Sequence, residues 1–66
     1  MQWLKDFRND KSNTLDEMAS KIGVSKSLYE KIEYGDRTPS AKFIKKFKEA
    51  FPEVDINIFF ESESHV

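Results

Sequence analysis

Apolar residues recur along the chain at intervals of three and four, the spacing that lines up side chains on one face of an α-helix. Trp3, Leu4 and Phe7 share a side over about residues 2–9. Met18 and Ile22 stack one turn apart on a second helix over about 15–21. Tyr29 and Ile32 mark a third over about 26–34, and Ile44, Phe47 and Phe51 form a stripe on a fourth over about 41–50. A short fifth piece, "INIFF", falls at about 56–60, although its β-branched residues leave "DINIF" open to a strand.

Polar residues at the ends of these segments agree with that division. Thr14 stands before the second helix with Glu17 three residues on, the arrangement in which each side chain satisfies the other's exposed amide. Ser25 precedes the third helix and Gly35 follows it. Pro39 and Ser40 open the fourth, Pro52 prevents its continuation, and Asp55 caps the fifth. The expected fold is therefore all-α. It is a compact bundle of about five short helices over residues 1–60, followed by a flexible acidic tail, "ESESHV", at 61–66.

The second and third helices stand unusually close. Val24 sits between them and plugs the corner, and Gly23 supplies a turn residue able to take positive φ. Ala19 is the one small residue on the inner side of the second helix, where a larger one would keep the third from closing in. Two short helices joined by a tight glycine-containing turn make a helix-turn-helix.

The stretch "TLDEMASKIGVSKSLYEKIEYGDRTPS" resembles the helix-turn-helix of the lambdoid-phage repressor and Cro family, also called the xenobiotic-response-element family of bacterial regulators. The matching residues are Thr14, Ala19, the Gly23–Val24–Ser25 turn, the Ile32–Glu33 pair, and the Gly35, Arg37, Pro39 and Ser40 exit. The likeness runs from "LKDFRNDKSNT" to "FPEVDINIF". Two positions depart from the family's pattern. Leu15 stands where a phosphate-binding glutamine is frequent and is suited instead to packing under the first helix, and Asn13 stands where an apolar residue is frequent.

With Tyr29 and Ile32 turned inward, the third helix presents Lys26, Ser27, Glu30 and Lys31, with Tyr34 further along. The resemblance implies that Lys26, Ser27 and Lys31 read bases in the major groove. Leu28 at the rim is placed for a thymine methyl and Glu30 for cytosine N4. The plainer reading of Lys26, Glu30 and Lys31 is a solvated face, with Lys26 and Glu30 spaced for a surface ion pair. Arg37 and Lys42 flank the start of the fourth helix as candidate phosphate ligands, joined by Tyr34, Thr14 and the helix N-terminal amides. Lys45, Lys46 and Lys48 read as solvated face. In the resembled family an arginine and a glutamate at the positions of Arg8 and Glu33 form a partly buried salt bridge between the first and third helices, a structural role.

Composition tempers this picture without changing it. The 66 residues carry a net charge of −1, which argues mildly against nucleic acid, yet Lys42 to Lys48 holds four lysines and no acid. A binding footprint depends on such local patches. Cysteine is absent and no segment approaches a membrane span, so the expected setting is cytoplasmic, with no membrane partner. His65 has no companion ligand, and the dispersed carboxylates have no nucleophile, so no metal, cofactor, small-molecule ligand or catalysis is expected. Trp3, Phe7, Phe43, Phe47, Phe51, Phe59 and Phe60 read as aromatic core, with Phe59 or Phe60 the alternative for a dimer surface.

The resemblance implies a transcriptional regulator, in the simplest case a repressor of a phage or mobile element. It would bind double-stranded DNA as a homodimer on a pseudo-palindromic operator. The rival reading is a protein-interaction module on the same fold, antitoxin-like or a co-regulator, favoured by the acidic balance and Leu15.

Overall fold

A computed structural model describes residues 1–61 and folds them into five helices: α1 (Gln2–Asp10), α2 (Leu15–Ile22), α3 (Lys26–Tyr34), α4 (Ala41–Ala50) and α5 (Ile58–Glu61). The described residues contain no strand, so the all-α expectation holds. Beyond Glu61 the tail expected to fray, His65 included, lies outside the described residues.

Short-range hydrogen bonds start and stop the helices where the polar residues predict. Thr14 Oγ1 accepts from the Glu17 amide at 3.1 Å, and Glu17 Oε1 accepts from the Thr14 amide at 2.8 Å, closing a reciprocal cap on α2. Ser25 Oγ accepts from the Leu28 amide and Ser40 Oγ from the Phe43 amide, both at 3.1 Å. The end of α1 is less expected. Asn13 N donates to Arg8 O and Ser12 N to Asn9 O, which puts Ser12 in the left-handed region at φ 59°. That is a Schellman stop built without glycine.

The last segment differs from its expected form. Asp55 Oδ1 accepts from the Asn57 amide at 3.0 Å, a local turn that displaces the helix start from 56 to Ile58. The amides of Ile58, Phe59 and Phe60 each bond three residues back. This tight winding, rather than a strand, is what "DINIF" adopts.

Around these elements a single core forms from Leu4, Met18, Ala19, Ile22, Tyr29, Ile32, Phe43, Ile44, Phe47, Phe51 and Phe59. Phe47 is its hub. Phe59 meets it edge-on at 5.1 Å, Trp3 edge-on at 6.0 Å, and Phe7 and Phe51 lie tilted at 5.6 and 5.2 Å. Phe60 does not join this cluster. It is 55% exposed, because the tight winding turns Phe59 inward and sends its neighbour out. α2 packs on both α3 and α4, and α1 closes over α3. Leu15 is half-buried against the core, in keeping with an apolar role there.

Candidate nucleic-acid interface

The turn between α2 and α3 is Gly23, Val24 and Ser25. Gly23 sits at φ 92°, ψ 34°, and its amide donates to Ala19 O at 2.8 Å. Val24 is half-buried against the core, filling the corner. Ala19 is buried on the face of α2 that receives α3. Small side chain, left-handed glycine and apolar plug together let two short helices approach closely through a three-residue joint.

α3 divides into two faces. Tyr29, Ile32 and Glu33 are buried, while Lys26, Ser27, Lys31 and Tyr34 are exposed, Tyr34 at 59%. Lys26 and Glu30 do not form the ion pair their spacing allows. Among the described residues the ion pairs are Arg8–Glu33 and Lys11–Glu53. Lys26 and Lys31 therefore carry free ammonium groups on an outward helix face, which is not what a surface held together by pairing would show. Glu30 is half-buried beside them. Leu28 is also half-buried, packing on the core and lining a pocket of about 190 Å³ with Val24, Phe43 and Lys42. It is tied more closely to the α3–α4 junction than to an open rim.

Arg37 and Lys42 are exposed on either side of the α4 start, and their side chains make no hydrogen bond or ion pair among the described residues. The first turn of α4 contains no acid, and the amides of Ala41 and Lys42 have no intrahelical partner, so that end attracts anions. The start of α2 is different. Asp16 and Glu17 occupy its first turn, and the amides of Thr14 and Glu17 are already bonded in the cap. Thr14 keeps its hydroxyl proton to donate, but the amides and charge there suit a phosphate less well than those of α4.

A family model described as helix-turn-helix matches residues 4–59. The chain belongs to the helix-turn-helix family. It is a DNA-binding helix-turn-helix regulator, in line with its likeness to the lambdoid repressor and Cro proteins. Searches of curated proteins and of solved structures returned no match.

Beneath this helix-turn-helix, Arg8 and Glu33 form the expected salt bridge. Arg8 Nε lies 2.8 Å from Glu33 Oε2 and its Nη2 3.0 Å from Oε1, while Nη1 donates to Asn13 O at 3.1 Å. The pair ties α1 and the approach to α2 onto α3. Burial by itself would push the Glu33 carboxyl up, but the hydrogen bonds and charge of Arg8 more than reverse this and hold it below the usual range. The Tyr29 hydroxyl lies near the same carboxylate but outside hydrogen-bonding geometry, and burial first, then that carboxylate, push its pKa well up.

Three lysines have roles that residue spacing does not announce. Lys46 and Lys48, expected as solvated face, are committed to backbone carbonyls. Lys46 Nζ donates to Gly23 O at 3.1 Å, and Lys48 Nζ to Pro52 O and Val54 O at 2.7 and 2.8 Å. Lys11 Nζ lies over the rings of Phe7 and Phe51 at 5.1 and 5.6 Å and pairs with Glu53 at 3.4 Å. No membrane-spanning helix occurs among the described residues.

Proposed function

We propose that the protein is a sequence-specific transcriptional repressor that lays α3 in the DNA major groove. The observation that carries this reading is the uncommitted outward face of α3, with Lys26 and Ser27 at its N-terminal end and Lys31 one turn further on. The N-terminal residues of such a helix come nearest the base edges, and lysine donates to guanine O6 and N7. Glu30 and Leu28 border this set and modulate it, Glu30 by accepting from cytosine N4. Arg37 and Lys42 hold the phosphate backbone, assisted by Tyr34 and by the Thr14 hydroxyl. Repression follows from occupancy alone, by excluding polymerase from an overlapping promoter, as suits a cytoplasmic regulator of the phage or mobile-element kind that the chain resembles.

The regulator acts as a homodimer on a pseudo-palindromic operator. Supporting this is an outward apolar face at the end of the described chain. Phe60 and half-buried Ile56 border a groove of about 400 Å³ against Ile44 of α4. Half-sites one helical turn apart, roughly 34 Å, would then match two α3 helices related by a two-fold axis.

The test is selection of bound sites from a random duplex pool, followed by titration of the selected site and random DNA across a salt series, beside sizing of the free protein. Specific binding that weakens steeply with salt, to a site with two-fold symmetry, supports the reading. No binding at low salt would favour the protein-interaction module instead.

A further inference from the structure

Within the three-residue joint between α2 and α3, the Gly23–Val24 peptide group has both of its polar ends held. The N–H, on Val24, donates to Ala19 O within α2 at 3.0 Å. The C=O, on Gly23, accepts from Lys46 Nζ, half-way along α4, at 3.1 Å. Without a side chain, Gly23 has the widest backbone freedom of any residue, and it lies where the direction of α3 is set. The two hydrogen bonds remove that freedom, because turning the peptide plane breaks both. Ser25, the cap of α3, follows two residues after Gly23, and Lys26 and Ser27 come directly after it. The Lys46 charge is also placed favourably against the negative end of the α2 dipole.

We propose that Lys46 is a positioning residue for DNA recognition. It fixes the Gly23–Val24 peptide and with it the path along which α3 leaves the turn. This rests on the reading that α3 enters the groove. Lys42 stands one turn before Lys46 on the same helix, and both line the pocket under Leu28. The helix whose N-terminus meets the backbone therefore also holds the turn that aims α3, so grip and aim are coupled through α4. The side chain of adjacent Lys45 is exposed and makes no hydrogen bond among the described residues, and it supplies a charge-matched comparison.

The test compares Lys46→Gln, Lys46→Arg and Lys45→Gln with the parent. Affinities are measured for the selected site and for random duplex, at a temperature where melting shows every variant folded. In Lys46→Gln, affinity for the selected site is expected to fall about 10-fold further than affinity for random DNA, as for loss of one charge-assisted hydrogen bond. Lys45→Gln lowers both alike, and Lys46→Arg, which still reaches the carbonyl, keeps most of the discrimination. A Lys46→Gln variant that weakens both DNAs equally, or loses only melting temperature, overturns the proposal. Amide exchange in the DNA-free protein separates this idea from the functional reading beneath it. Faster exchange at Gly23 and Val24, whose amides donate to Ala19 O, in Lys46→Gln but not in Lys45→Gln supports the clamp even if the parent binds no DNA. Unchanged exchange there overturns the clamp even if the parent binds DNA well.

Discussion

Arg8 grips Glu33 with two parallel hydrogen bonds, across 25 residues of sequence, while its side chain is only 14% exposed and that of Glu33 not at all. A buried pair of this kind is costly to break from one side, because the remaining charge is stranded without water. Glu33→Ala or Arg8→Met alone is expected to cost about 3–5 kcal/mol, and the double change Arg8→Met with Glu33→Leu to cost less than either. Urea melts of the three variants and the parent give the comparison.

The same site sets a pH dependence. The Glu33 carboxyl is held below its ordinary value of 4.5, so it binds protons less readily in the folded chain than in the unfolded one. Its contribution to stability is complete above that ordinary value and is lost as pH falls through the folded one. Tyr29 has the opposite sense. Its pKa is raised above an ordinary value of 10.0, so its contribution is complete below pH 10.0 and lost as pH rises further. Melting temperature against pH should fall at both ends, and Glu33→Gln should flatten the acid limb.

How much of this could be read from the residues depends on the reach of each interaction. The caps at Thr14, Ser25 and Ser40 act over three residues, and the apolar periods of α2 and α3 over one or two turns, so both were legible. The stop after α1 was not, because serine rarely takes the left-handed conformation that Ser12 adopts. Phe59 and Phe60 are adjacent aromatics of equal hydrophobicity. Only the position of the last turn against Phe47 decides that the first is core and the second surface. Lys46 shows the same limit at the candidate site. A long flexible stem reaches a carbonyl on another helix, and no spacing rule records where it ends. The lysines of α3 were legible for the opposite reason, since their exposure follows from which neighbours are apolar.

Ala19 is buried where α2 receives α3, with buried Met18 and Ile22 beside it in the core. Ala19→Phe forces the helices apart and is expected to cost about 1–3 kcal/mol or more. Thermal melting and heteronuclear amide spectra would show either an unfolded chain or a rearranged joint.

Two left-handed positions predict opposite results. A Cβ at Gly23 would meet no atom within 4 Å, so the cost of a substitution such as Gly23→Val comes chiefly from backbone strain at φ 92°. The expected loss is about 1–2 kcal/mol, with Gly23→Asn milder. Ser12 already bears that strain at φ 59°, so Ser12→Gly should be neutral or gain up to about 1 kcal/mol. Chemical denaturation of the pair, with unchanged slopes, would show that backbone conformation alone is responsible.

The most informative functional prediction separates reading from holding. Lys26 and Lys31 lie on the exposed face of α3 with no side-chain partner among the described residues, which on the proposed reading leaves each available to a base edge. Removing one should leave a gap opposite a particular base pair. Lys26→Ala and Lys31→Ala are expected to relax preference at separate positions of the half-site, by about 1–3 kcal/mol of discrimination each. Arg37 and Lys42 flank the acid-free start of α4, where the charge of a phosphate is stabilised whatever the sequence. Arg37→Ala and Lys42→Ala should weaken selected and random duplex alike, and lower the slope of log affinity against log salt by about one unit per contact. Site selection and salt titration with each of the four variants provide both readings. If Arg37→Ala changes the preferred sequence while Lys26→Ala and Lys31→Ala leave it intact, the surface presented to the groove is the α4 side of the molecule rather than α3.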